Sequence, residues 1–106
     1  KKITAIAEAF NTPIAPHNPM GPVATAATVH VMATVANYLI TDYLPDDTPE
    51  RMDVVDAPVP FRDGWLDVPD TPGLGIELRK EGLKDPRKGG WTRPVQFHPD
   101  GRPAYI

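Results

Sequence analysis

The apolar positions change their period along the chain, and the changes mark the elements. Ile3, Ile6, Ala7 and Phe10 recur at i, i+3, i+4 and i+7, which predicts an amphipathic helix over residues 2–10. Asn11 is suited to cap its C-terminal end. No capping residue or Met precedes Ile3, so the pattern is read as starting inside a helix. Pro13-Ile14-Ala15-Pro16-His17 predicts a short extended segment, because each proline pushes the residue before it toward β or polyproline geometry. Residues 22–35 predict a second helix with Pro22 in its first turn. Its Val, Ala, Thr and Met are apolar nearly all round, the mark of a helix buried in something larger. Asn37 breaks it, and residues 38–43 predict a strand.

From Pro45 the pattern loses its period. Residues 45–60 are acidic and proline-rich and read as a loop. Residues 61–68 hold an Asp63-Gly64 pair between apolar residues, a hairpin signal. Pro72-Gly73-Leu74-Gly75 predicts a turn into Ile76-Glu77-Leu78. Residues 79–90 are charged and read as exposed, and Asp100-Gly101 marks a turn in the tail, 91–106.

Helix and strand alternating over short links predict an α/β fold with a parallel sheet. Two strands do not make a stable parallel sheet alone, so residues 1–44 need neighbours that residues 45–106 do not obviously supply. A piece of a larger fold, completed by further chain or by an oligomer, is the expectation.

Composition adjusts this picture little. The chain has 106 residues, 41% apolar, with 14 prolines that point to long irregular stretches. A net charge of -3 gives no basic field for nucleic acid or anionic lipid, so neither partner is expected. No unbroken run of about 18 apolar residues predicts a membrane span. Cysteine is absent, which rules out disulfides and thiolate metal sites and fits a cytoplasmic setting.

Candidate chemistry starts at His17, between a strand and a helix. In parallel α/β folds active sites form at the C-terminal ends of strands, and histidine is the commonest general base. A turn histidine bonded to backbone carbonyls fits the same pattern. Asp42, near the end of the second strand, would converge on the same cleft, where a carboxyl could meet a developing oxyanion. Capping the following turn is its plainer role. His30 reads as a packing residue and His98 as part of a turn. Asp46 and Asp47 read as a solvated loop able at most to hold a loose cation. The histidines are too scattered for a metal site, and Pro72-Gly73-Leu74-Gly75 lacks the pattern of a phosphate loop.

The run Ala15-Pro16-His17-Asn18-Pro19-Met20-Gly21-Pro22, the small-residue helix after it and Asn37-Tyr38-Leu39-Ile40 together resemble the mandelate racemase/muconate lactonizing enzyme branch of the enolase superfamily, nearest its galactonate dehydratase-like sugar-acid dehydratases. Asp63-Gly64, Pro72-Gly73-Leu74-Gly75-Ile76-Glu77-Leu78, Trp91 and His98-Pro99-Asp100-Gly101 are similar to the same family's C-terminal end.

The resemblance implies the last βα units of a modified TIM (β/α)7β barrel in residues 1–44. Residues 45–106 would be an irregular segment with a hairpin, returning beside a capping domain. It implies a Mg²⁺-dependent lyase whose metal holds the carboxylate of a sugar acid while a base removes the neighbouring proton. An enediolate then loses a β-hydroxyl as water, giving a 2-keto-3-deoxy acid. His17 matches the base at the end of strand seven. Its orienting aspartate, the metal-binding carboxylates and a second histidine would lie in sequence not present here, so no metal ligand falls in this chain and the chain alone is expected to be inactive. Asp42 matches the strand-eight position where the family usually carries a glutamate that hydrogen-bonds the intermediate. Aspartate is one methylene shorter, which leaves the reaction open. A racemase, epimerase or cycloisomerase of the same superfamily, or a non-catalytic fragment needing a partner chain, are the alternatives.

Overall fold

A computed structural model describes residues 1–46, 48–83 and 97–102. Its elements are α1 (Lys2–Ala9), β1 (His17–Asn18), α2 (Pro22–Met32), β2 (Asp42–Tyr43), α3 (Pro49–Met52), β3 (Phe61–Arg62) and β4 (Trp65–Leu66). Asp47, residues 84–96 with Trp91 among them, and residues 103–106 lie outside the described residues.

α1 ends as its sequence predicts. Asn11 adopts a left-handed φ of 52°. Its N–H donates to Glu8 O at 2.9 Å and that of Thr12 to Ala7 O at 2.9 Å. This is the double bond of a Schellman cap, with asparagine in the place glycine usually takes.

α2 stops at Met32, short of the predicted residue 35. There the N–H groups of Thr34 and Val35 reach back only three residues, to Val31 O and Met32 O. The Thr34 hydroxyl also donates to Val31 O at 2.8 Å. A side chain that competes for a helical carbonyl in this way shortens the last turn. Pro22, Thr25, Ala26 and Val29 of α2 are buried, while Val23 and Val31 remain exposed.

The predicted parallel pairing is present, on shorter strands. β1 and β2 run parallel, with His17 opposite Asp42 and Asn18 opposite Tyr43. Before them, Ile14 forms a parallel bridge with Tyr38. Between these contacts the first strand has residues 15 and 16, and the second has residues 39–41. The ladder therefore carries one extra residue on its second strand. Pro16 contributes, because its carbonyl accepts from Asp42 N at 3.0 Å but it has no N–H to return. Asn37 fastens the entry to this ladder. Its carbonyl accepts from Ile14 N at 2.8 Å, and its amide donates to Thr12 O at 2.8 Å.

The segment read as a loop, 45–60, is more ordered than its composition suggests. It contains α3, which starts at Pro49 behind Thr48. It also supplies Val55 and Val59, the largest fully buried apolar side chains among the described residues. Val59 joins Ala26 and Val29 of α2 in the core, with Leu66 and Ile76 packed against it. The reading failed here because isolated valines between prolines have no period, and their burial comes from tertiary contact alone. The hairpin is as predicted: β3 and β4 pair antiparallel across Asp63 (φ 50°) and Gly64 (φ 86°). Two successive positive φ values are what a two-residue type I′ turn requires.

The turn at 72–75 makes a strict demand at Gly75. With φ at 73°, a Cβ there would lie 2.2 Å from Pro69 Cβ, whereas Gly73, with φ at 75°, faces open space. Gly73→Ala is expected to cost about 1 kcal/mol for the backbone alone. Gly75→Ala is expected to cost about 1–3 kcal/mol more through overpacking. Thermal unfolding of the two variants side by side checks the difference, and equal melting temperatures would contradict it. Among the described residues, no helix is long and apolar enough to cross a membrane.

Candidate active site at the ends of two parallel strands

The two candidate residues meet. His17 and Asp42 are direct neighbours across the parallel pair, and His17 Nδ1 lies 2.5 Å from Asp42 Oδ2. An ionised carboxylate only accepts hydrogen bonds, so Nδ1 carries the proton and donates it. In the neutral imidazole that arrangement leaves Nε2 with a lone pair. Both side chains are largely open, at 72% and 69% exposure, so a substrate could reach them from solvent.

The neighbouring side chain points the other way. Successive residues of a strand face opposite sides, and Asn18 is buried at 3% exposure while His17 is exposed. Asn18 Nδ2 donates to Thr25 Oγ1 at 3.0 Å. The Thr25 hydroxyl has one proton, and Asp46 Oδ2 at 2.5 Å takes it in preference to Gly21 O at 3.2 Å. Asp46 is therefore not part of a solvated loop: it is 1% exposed. Its other oxygen accepts from Arg51 Nη1 at 2.8 Å. A carboxylate so placed is held by a cation and a hydroxyl, as a buried charge must be. Sequence reading missed this group. The one available signal was Arg51, a single cation in an acidic stretch.

The other histidines stand apart from His17. The His30 ring lies 3.2 Å from Leu74 O, tying α2 to the turn at 72–75. His98 closes a turn, its N–H donating to Arg102 O and its carbonyl accepting from Gly101 N. His98 thus lies in the turn expected of it, whereas His30, read as a packing residue, is half-exposed and holds a backbone carbonyl. Among the described residues, no group of three or more His, Cys, Asp or Glu could hold a metal ion. The Mg²⁺ implied by the resemblance has no ligand set among them.

Residues 1–82 match the family model described as enolase C-terminal domain-like. D-Galactonate dehydratase from Xanthomonas axonopodis pv. citri is 36% identical over 94% of this chain and 28% of its own length. The same enzyme from Pectobacterium atrosepticum is 32% identical over 97% of this chain and 29% of its own length. Among solved structures, an enolase from Agrobacterium radiobacter, a candidate galactarate dehydratase bound to Na and L-malate, aligns with a TM-score of 0.86 and 33% identity. That alignment covers 99% of this chain and 30% of the other. A mandelate racemase/muconate lactonizing enzyme-like protein from Rubrobacter xylanophilus aligns with a TM-score of 0.65 and 38% identity, over 76% of this chain and 21% of its own. The chain thus spans under a third of the length of these relatives. With a family match over residues 1–82, the parallel strand pair and the His17 turn all in agreement, the chain belongs to the enolase C-terminal domain-like family.

Proposed function

We propose that His17 is the general base of a sugar-acid dehydratase, and that Asp42, at the position where the resemblance implies a residue that hydrogen-bonds the intermediate, instead orients His17. The observation that carries this reading is the bond from His17 Nδ1 to Asp42 Oδ2 at the ends of two parallel strands. Relatives that dehydrate D-galactonate support the substrate class. His17 Nε2 takes the proton from the carbon beside the substrate carboxylate. The electron pair left behind moves toward the carboxylate and then returns to expel the β-hydroxyl, which leaves as water on taking a proton from an acid supplied elsewhere in the enzyme. The enol so formed becomes a 2-keto-3-deoxy acid.

Among the described residues no group of three or more His, Cys, Asp or Glu could hold a metal ion, and in this reading the metal ligands and a second acid come from elsewhere in the enzyme. Mg²⁺ there would neutralise the carboxylate, and no step of this chain's own residues runs through it. The division at residues 44 and 45, the last barrel units before it, and a cytoplasmic setting belong to the same proposal. So does association with the rest of a barrel or with further copies. Ile3, Ile6 and Phe10 support association, because α1 buries no residue and leaves this apolar stripe in water.

The test incubates the enzyme that carries these residues with a panel of sugar acids in D₂O and assays 2-keto acid and α-deuterium. A 2-keto-3-deoxy product supports the reading. Deuterium exchange with inverted configuration and no keto acid would replace it with racemisation or epimerisation. The 106-residue chain alone, run in parallel, is expected to give neither, and turnover by it would overturn the claim that the remaining groups lie elsewhere.

A further inference from the structure

The buried group behind His17 ties together the two strand exits. Arg51 Nη2 donates to Pro19 O at 2.8 Å, and Arg51 Nη1 donates to Leu44 O at 3.2 Å. Pro19 lies two residues after His17, and Leu44 two residues after Asp42. One planar guanidinium thus spans the chain just past each partner of the pair. Asp46 holds that guanidinium through Oδ1 and, through Oδ2 and Thr25, reaches Asn18, the residue next to His17. Asp46 is itself fixed by its backbone N–H, which donates to the Tyr43 hydroxyl at 3.0 Å. Tyr43 is the residue next to Asp42. Every link ends one or two residues from the His17–Asp42 pair, and none ends on either side chain.

We infer that Asp46 and Arg51 are positioning residues, setting the separation and orientation of His17 and Asp42 from behind. The inference rests on the reading of His17 as a base. Its physical content is distance. Both side chains of the pair are largely exposed, so beyond their own hydrogen bond and the strand register their placement rests on the groups behind them. Misplacing a catalytic group by about 1 Å can cost about a hundredfold in rate. A buried ion pair that served folding alone would be a poor choice, because apolar side chains of similar volume often serve folding as well or better.

The decisive variant is Arg51→Lys in the enzyme that carries these residues. Lysine keeps the charge opposite Asp46 but lacks the planar fork that spans two carbonyls. The fold should survive while kcat falls about tenfold or more and KM stays within about twofold. Thr25→Val, which removes the hydroxyl link at similar volume, should act in the same direction, and Thr25→Ser should restore the rate. A second readout needs no turnover. The short Nδ1–H bond is expected to give a downfield ring-proton resonance, assigned by its loss in His17→Gln. It should broaden or move upfield in Arg51→Lys and in Thr25→Val.

If both variants keep the resonance and kcat of the unsubstituted enzyme, or lose only melting temperature, the inference is overturned. Should Arg51→Lys not fold, Thr25→Val against Thr25→Ser decides alone. Failure of the base reading looks different: His17→Gln would then retain α-proton exchange while the resonance still reported whether Arg51 holds the pair.

Discussion

Replacing His17 by Asn is expected to abolish α-proton exchange in the enzyme that carries this chain. The substitution is mild in shape and severe in chemistry. An asparagine amide can still donate to Asp42 Oδ2, so the contact that His17 makes across the strands has a substitute. What disappears is the basic lone pair on Nε2, and no amide nitrogen replaces it. A positioned general base contributes about 10²–10⁴-fold. The loss should sit at the upper end, because the described residues place no other histidine at these strand ends. Deuterium incorporation at the α-carbon, followed by mass spectrometry in D₂O, measures the step before water is lost. Exchange at the original rate would remove His17 from the mechanism, whatever product the enzyme makes.

Asp42→Asn separates two roles for the second residue. If Asp42 served only to donate a hydrogen bond to the intermediate, asparagine would still donate and the rate would change little. If it orients His17, asparagine is among the worst replacements. Its amide N–H can donate to Nδ1, which drives the imidazole proton to Nε2 and removes the base. An orienting carboxylate changed to an amide in this way can cost about 10⁴-fold where the base is otherwise intact. Since this pair is open to water, a loss of about 10²–10³ is expected. Asp42→Glu keeps the carboxylate with one more methylene and should lose much less. The order Glu above Asn in kcat supports orientation, and the reverse order would show that donation to the intermediate is what matters.

Part of this site was legible in the sequence. Prolines at 13, 16 and 19 bracket His17 in an extended, stiff stretch, and the following small-residue helix returns the chain to a second strand. Local rules suffice for those elements, as they do for the Asn11 cap and the Asp63-Gly64 turn. The bond between His17 and Asp42 was not legible, since register across 25 residues depends on an extra residue that no local rule places. The burial of Asp46 was hidden for a related reason. Its neighbours Thr25 and Arg51 are 21 and 5 residues away, and an acidic, proline-rich stretch looks solvated until a cation is seen to enter it. Val55 and Val59 escaped likewise, lacking any period to announce a core.

The extra residue between Tyr38 and Asp42 works as a selector. Carried on evenly from the Ile14–Tyr38 bridge, the ladder would set Thr41 opposite His17. A neutral hydroxyl would then face the imidazole where the bulge sets an anion. Chain length and charge are therefore interchangeable at this point. Deleting one residue from 39–41 would flatten the strand yet keep Asp42 in place. Flattening it at full length would silence the pair without altering a single side chain. Tyr38, whose hydroxyl lies 3.0 Å from Thr41 Oγ1, bridges that stretch and favours the bulged form. Chemistry at this position can thus change by two routes: replacing the amino acid, or sliding the strand by one.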